Sequence, residues 1–384
     1  MRRPISAADL RVVVAGILVG AGSTPQEADQ VAANLVLANL SGHDSHGVGM
    51  VPRYVDAARQ GGLVPNAAAT VAVDMGAMLS LDGHRGYGQV VGVQAMDLAL
   101  QRARTHGSCI MTLSNAHHLG RIGHFAEMAV AQGLVALHFV NVLSRAVVAP
   151  WGGADGRFGT NPCCIGIPLA GGQPRGGGAG SPQTSSPPPS GNAAREAASE
   201  EAHFILDFAT SRVAQGKMRV AYNKGETVAP GTVIDERGRP TTDPGVVVVP
   251  QSNGMLGALL TFGEYKGYGM AVACELLGGA LSGGGTWHRD YDPGARAVLN
   301  GMLTILIDPA RLGTKAAFEQ EAVAFVDWLR AAPVAPGFES VLIAGDPERA
   351  ARAHREAHGI EIDDQTWAEL VAAGDKVGVA IAAG

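Results

Sequence analysis

Two clusters of histidine, glycine and small polar residues in this chain have the composition that moving protons or holding anions requires. The first is Ser41-Gly42-His43-Asp44-Ser45-His46-Gly47, a break between two helical stretches. In the helix that should follow, Met50 and Tyr54 stand four and eight residues beyond His46. All three then share one face, with Arg53 close by. A plainer reading is a capped helix start in which His46 bonds only to backbone. The second cluster is Ser114-Asn115-Ala116-His117-His118-Leu119-Gly120-Arg121-Ile122-Gly123-His124, between an apolar strand-like run and a helical segment. That is where α/β folds place ligands. Gly120 and Gly123 let backbone N–H groups approach an anion and Arg121 adds charge, which suits a pyrophosphate. A histidine there can donate or accept a proton near neutral pH.

Two further stretches allow close backbone approach: Gly159-Thr160-Asn161-Pro162, and Asp207-Phe208-Ala209-Thr210-Ser211 running on to Gly216-Lys217. Hydroxyl residues after a buried strand, followed by a lysine, can bond phosphate or ribose oxygens. A capped helix start at Thr210 or Ser211, with Lys217 in solvent, explains the same residues. The histidines are also candidate metal ligands, but no H-E-x-x-H or Cys/His spacing supports zinc, and no metal is expected. Gly20-Ala21-Gly22 fails as a dinucleotide fingerprint, because it follows a helical period and Pro25 stands where the third glycine belongs. A Walker loop and a G-x-S-x-G elbow are both missing, which disfavours a Rossmann domain or a serine hydrolase.

These loops need a scaffold, and the periodicity supplies one. Ser6-x-x-Asp9 and Thr24-Pro25-Gln26-Glu27 read as capping boxes. They precede the stripes Leu10, Val13, Val14, Ile17, Leu18 and Ala28, Val31, Ala32, Leu35. Val71 to Leu81 alternates as a hairpin ahead of Asp82-Gly83. Strand, helix and strand then follow as a βαβ-like unit at 109–113, 122–132 and 134–140. Further strands are expected at 163–169, 204–208 and 302–307, and helices at 89–106, 266–281 and 316–330. Between 171 and 191, Gly, Pro and Ser supply 16 of 21 residues, so this segment reads as a flexible insertion that is dispensable.

The 384 residues carry 29 basic and 35 acidic side chains, a net charge of −6 with no basic cluster, so nucleic acid is not expected as a partner. No uncharged apolar stretch approaches the roughly 20 residues that cross a bilayer, and Asp9 and Arg11 interrupt a signal-peptide reading. Four cysteines without a CxxC pair point to a reducing, cytoplasmic compartment.

In this order the motifs resemble the type 2 malate/L-lactate dehydrogenases, NAD(P)-dependent oxidoreductases unrelated to the Rossmann lactate and malate enzymes. The likeness runs through Gly42 to Val48, His118 to Gly123, Gly159 to Pro162, Asp207 to Ser211 with Gly216-Lys217, Pro240-Thr241-Thr242-Asp243-Pro244, and Lys266-Gly267-Tyr268 leading to Gly278 through Gly284. It implies an α/β fold with a non-Rossmann central mixed β-sheet cofactor domain, 71–308, carrying the insertion at 171–200. A discontinuous helical domain would come from both chain ends, 1–70 and 309–384. It also implies a homodimer and NAD or NADP as cofactor. Cofactor contacts carried over are His46, Gly120, Arg121, Ile122, Asp207, Phe208, Ala209, Thr210, Ser211, Tyr265, Lys266, Asn300, Gly345, Asp346, Pro347 and Glu348. Thr160, Asn161 and Lys217 join them from the residue reading above. His118 is the expected acid/base group, with His46 second. Met50, Arg53 and Tyr54 would line the substrate site. Many relatives have arginine at the Met50 position, whereas the hydroxycarboxylate dehydrogenase branch has methionine. A more apolar pocket follows, favouring aryl or alkyl 2-oxo acids over malate. A cyclic imino acid reductase of the same family is the alternative activity, and a metal-dependent hydrolase or lyase is a third.

Overall fold

The computed structural model describes residues 4–169, 203–288 and 297–381; the insertion expected at 171–200 lies outside them. The chain begins with β1 (Pro4–Ile5), α1 (Ala7–Gly20), α2 (Pro25–Leu40), two single turns at Asp44–His46 and Val48–Met50, and α3 (Val51–Gln60). Ser6 caps α1 as expected, its Oγ accepting from the Asp9 amide at 3.0 Å. The second box is completed by a third party. Thr24 Oγ1 accepts from the Glu27 amide, but the Glu27 carboxylate turns to the Asn66 amide, and Asn66 Oδ1 accepts from the Thr24 amide at 2.7 Å. Leu10, Val14, Ile17 and Leu18 of α1 and Ala28, Val31, Ala32 and Leu35 of α2 are fully buried in one core with Tyr54, Ile360 and Leu370. Both chain ends therefore build the helical layer.

The middle continues with β2 (Thr70–Asp74), β3 (Met78–Asp82), α4 (Gly88–His106), β4 (Ser108–His117), α5 (Gly123–Val130), β5 (Val135–Leu143), β6 (Cys163–Ile167), β7 (Phe204–Phe208) and α6 (Gln215–Lys224). A small three-stranded sheet follows from β8 (Val233–Ile234), β9 (Pro240–Thr241) and β10 (Ala258–Leu259). Then come α7 (Tyr265–Cys274), β11 (Leu299–Ile307), α8 (Lys315–Arg330), α9 (Asp346–His358), β12 (Ile360–Glu361) and α10 (Asp364–Asp375). The main sheet has seven strands in the order β2-β3-β4-β11-β5-β6-β7. Only β3 and β4 pair in parallel. Because β4 and β5 both run antiparallel to β11, they are parallel to each other with β11 between them. The expected βαβ unit is thus a split one.

Three departures from the sequence reading have physical causes. Strand β4 runs on to His117, because Leu299 and Asn300 of β11 pair with His117 and Ala116 and extend the ladder. The expected 266–281 helix changes to π winding over Glu275–Ala280, where a Cβ on Gly278 would lie 2.6 Å from the Asn141 amide nitrogen. Helix α8 buries Val326 with Leu169 and Ile343 beside the sheet, so it does not join the core of the amino-terminal helices.

Candidate active site

At the carboxyl end of β4 the chain delivers His118 to the helical layer, and the break after α2 brings His46 to meet it. His46 Nδ1 lies 3.2 Å from His118 Nε2, and the two rings stack with centroids 5.3 Å apart. Behind His118, the Tyr54 hydroxyl is 2.6 Å from Nδ1 and receives a hydrogen bond from Gln89 Nε2 at 2.8 Å. Gly88 makes this approach possible, since a Cβ there would lie 2.4 Å from the His118 carbonyl oxygen. From the other side Asn300 Oδ1 accepts from the Leu119 amide at 2.9 Å, while its Nδ2 donates to the Asn141 carbonyl. His118 is therefore fixed from three directions, whereas His46 is only half-buried.

Burial governs the protonation of this pair. It lowers the His118 pKa well below the usual 6.5, and the charges of His46, His117 and Arg53 lower it further. Burial, then His43 and Arg121, hold His46 down at about 4. Burial also raises the Tyr54 pKa, so its hydroxyl keeps its proton.

The loop carrying His46 is wrapped around Asn39, whose Oδ1 accepts from the Val48 amide at 2.8 Å and whose Nδ2 donates to Asp44. Helix α9 holds it from outside: Arg355 pairs with Asp44, and Glu348 with His43 at 3.1 Å. Asn39 and Gln89 were not singled out by sequence. Their only signal is a polar residue on an otherwise apolar helical stretch.

Two expected anion-binding features are already occupied. The Arg121 guanidinium, expected to face a pyrophosphate, is buried and donates to Glu127, which also takes Arg352 of α9. Burial alone would raise the Glu127 pKa, but the two arginines outweigh it and hold it at about 2. The Gly123 amide at the start of α5 donates to half-buried Asp207 at 2.6 Å. Burial raises the Asp207 pKa against that bond and the charge of Arg121. Tyr54 is likewise displaced from its expected place against substrate. It is fully buried behind His118 with its hydroxyl engaged.

The other expected residues divide into scaffold and surface. Asn161 bonds the Val142 amide, the Ala271 carbonyl and Glu275, and Thr210 Oγ1 donates to the carbonyls of Thr160 and Asn161. Ser211 donates to the Val213 carbonyl. Asp346 pairs with Arg330 and Arg349, and Gly345, at a φ of +99°, packs against the His203 carbonyl ahead of Pro347. Met50 is buried in the helical core beside α3. Phe208 and Ala209 are half-buried, while Lys217, Tyr265 and Lys266 are exposed. Ala214 precedes α6 without a side-chain cap, and a Cβ on Gly216 would lie 3.0 Å from Ser45 Cβ in the His46 loop. Gly120, at a φ of +79°, packs closely on Asn34 and Gln89, each 3.3 Å from where a Cβ would stand, ahead of Ile122. An uncapped helix start and an exposed lysine beside it fit a dinucleotide phosphate.

Arg53 makes no hydrogen bond or ion pair with any described residue. The protein packed around it, then Arg219 and Arg145, lower its pKa against the opposing charge of Glu369, and its charge acts on His118. Among the described residues no group of three or more His, Cys, Asp or Glu side chains converges as a metal site would need.

Buried His118 and half-buried His46 stand at the carboxyl end of β4 in a mixed sheet that is not a Rossmann fold. The malate/L-lactate dehydrogenase family model matches residues 5–175 and 190–371, and the chain belongs to that family. It is 40% identical over 359 residues to hydroxycarboxylate dehydrogenase B of Escherichia coli K12, covering 93% of this chain and 90% of that protein. It is 36% identical over 381 residues to an L-lactate dehydrogenase of Cupriavidus necator, covering 98% and 99%. The solved structure of delta1-piperideine-2-carboxylate reductase from Pseudomonas syringae superposes with a TM-score of 0.77 at 29% identity, covering 97% of this chain and 99% of that one.

Proposed function

We propose that this chain is an NAD(P)-dependent 2-hydroxycarboxylate dehydrogenase that interconverts 2-oxo and 2-hydroxy acids, with aryl or alkyl pyruvates favoured over malate. The observation that carries the reading is His118. It is neutral and buried, pinned at Nδ1 by Tyr54, and turns Nε2 toward half-buried His46 3.2 Å away. That nitrogen can hold or release the hydroxyl proton, with His46 passing it toward solvent. Arg53, lacking an anionic partner, supplies the charge that a substrate carboxylate needs. Met50 contributes an apolar wall where a second carboxylate would find no cation.

A bound nicotinamide supplies or takes the hydride at the substrate's C2. The backbone at Gly120, Arg121 and Ile122, the start of α6 with Lys217, and Phe208, Ala209, Tyr265 and Lys266 would hold it. Asn161, Thr210 and Asn300 shape the walls. The proposal extends to a cytoplasmic homodimer, in which a second copy covers the exposed Phe325 and Trp328 of α8. Light scattering reads that assembly.

The test is loss of reduced-nicotinamide absorbance with pyruvate, phenylpyruvate, oxaloacetate and a cyclic imine, each with NADH and NADPH. Phenylpyruvate or pyruvate should exceed oxaloacetate. His118→Ala should lower kcat by about 100-fold or more with cofactor affinity unchanged. Full activity in that variant removes His118 from its role. A cyclic imine as the preferred substrate would favour the second reading, which the superposition on the Pseudomonas reductase supports.

A further inference from the structure

Gln89 is fully buried, and its amide contacts the Tyr54 hydroxyl through Nε2 while Oε1 has no hydrogen-bond partner. An orphaned buried carbonyl next to a catalytic relay is an unusual expense for a fold. The direction of the relay explains it. With Gln89 Nε2 donating to Tyr54, the tyrosine proton must go to His118 Nδ1, and neutral His118 then carries its own proton on Nε2. In that state Nε2 offers no lone pair to a substrate hydroxyl.

We infer that Gln89 is a positioning residue whose amide, by turning over, sets which nitrogen of His118 carries the proton. Turned over, Oε1 accepts from the Tyr54 hydroxyl, Tyr54 accepts from His118 Nδ1–H, and Nε2 becomes free. In alcohol oxidation Nε2 then takes the substrate's hydroxyl proton and His118 becomes the imidazolium, its Nδ1–H still held by Tyr54. In oxo-acid reduction the same proton returns to the substrate oxygen and His118 becomes neutral again. Glutamine is suited to this position because one uncharged side chain offers both a donor and an acceptor. The groups acting on His118 are His46 from the loop after α2, Arg53 and Tyr54 from α3 and His117 in β4, while His43 and Arg121 act on His46 and Tyr87 packs on the Tyr54 ring. None of these bonds Tyr54 from the Gln89 side.

This inference rests on the proposed role of His118, and its test reads the histidine directly. ¹⁵N-histidine spectra, with His118→Gln to assign the signal, should show Nε2 protonated in the resting protein. Gln89→Glu, once ionised, can only accept from Tyr54. It should move the proton to Nδ1 and raise the His118 titration by at least about one pH unit, a tenfold change in the proton equilibrium. Gln89→Met offers neither donor nor acceptor and should leave the His118 proton shared between Nδ1 and Nε2 instead of held on Nε2, while lowering kcat for alcohol oxidation more than KM changes. Tyr54→Phe should make the two Gln89 variants indistinguishable. If folded Gln89→Glu and Gln89→Met share the parent's His118 spectrum and titration, the inference is overturned, whatever the substrate proves to be. Inactivity toward every oxo acid with the expected spectra would instead count against the dehydrogenase reading alone.

Discussion

Replacing Gly88 by alanine should damage catalysis more than folding. The added Cβ would lie 2.4 Å from the His118 carbonyl oxygen and 2.5 Å from both the His117 carbonyl oxygen and the Leu119 Cα. All three are backbone atoms, so no side chain can rotate away. Ordinary contact starts at 3.4 Å, and 3.4 minus 2.4 leaves 1.0 Å to be made up by α4 or by the His118 loop. Overpacking of this kind costs about 1–3 kcal/mol, partly offset by the up to ~1 kcal/mol that alanine gains over glycine in a helix. A displacement of about 1 Å at the acid/base group is worth about 100-fold in rate. Gly88→Ala should therefore melt only a few degrees lower while kcat falls by about two orders of magnitude. Gly16→Ala in α1 is the control: its Cβ would meet only Val379 Cγ1 at 3.8 Å, and it should stabilise by about 0.5–1 kcal/mol with activity unchanged. A Gly88→Ala enzyme with kcat within threefold of the parent would refute the argument that this contact fixes His118.

Glu127→Ala strips the partner from two buried guanidiniums, Arg121 and Arg352, and should cost about 3–5 kcal/mol in urea unfolding; a loss below about 1 kcal/mol would mean that both arginines find water. Acid should destabilise the protein through His138, which burial holds at about 3 against the ordinary 6.5. Only the unfolded chain binds its proton between those values, so stability is complete above 6.5 and falls as the pH drops, by about 2 kcal/mol at pH 5. His138→Gln should remove that share of the difference between urea midpoints at pH 7 and pH 5, and an unchanged difference would contradict it.

The local signals were legible because they depend on neighbours in sequence. The Ser6 cap, the two apolar stripes and the failed glycine fingerprint each follow from a few residues, and the failure was informative because a mixed sheet needs no such loop. What could not be read were partners chosen by tertiary closure. His46 and His118 are 72 residues apart, and Leu119 and Asn300 are 181 apart. Tyr54 shares a helix face with Met50, but whether it faces a pocket or a second histidine is decided by β4. Arg121 looked like a cation for phosphate because Glu127, six residues on, reads equally well as a solvated helix residue. Only the arrival of Arg352 from α9 shows that this carboxylate is shared between two buried guanidiniums and that Arg121 is not free for a phosphate.

The two histidines are held with unequal strength, and the inequality suits their proposed roles. His118 directly follows strand β4, backed by Gly88 and tied through Leu119 to Asn300, all in buried surroundings where a broken contact leaves unsatisfied polar groups. His46 rides on a loop whose outer ties are Asp44 with Arg355, an ion pair reached by solvent and worth about 0–1 kcal/mol, and the contact of His43 with Glu348. Opening the His46 loop therefore costs far less than moving His118. A substrate entering between them can displace His46 while the acid/base nitrogen keeps its place, which is the order that binding before proton transfer requires.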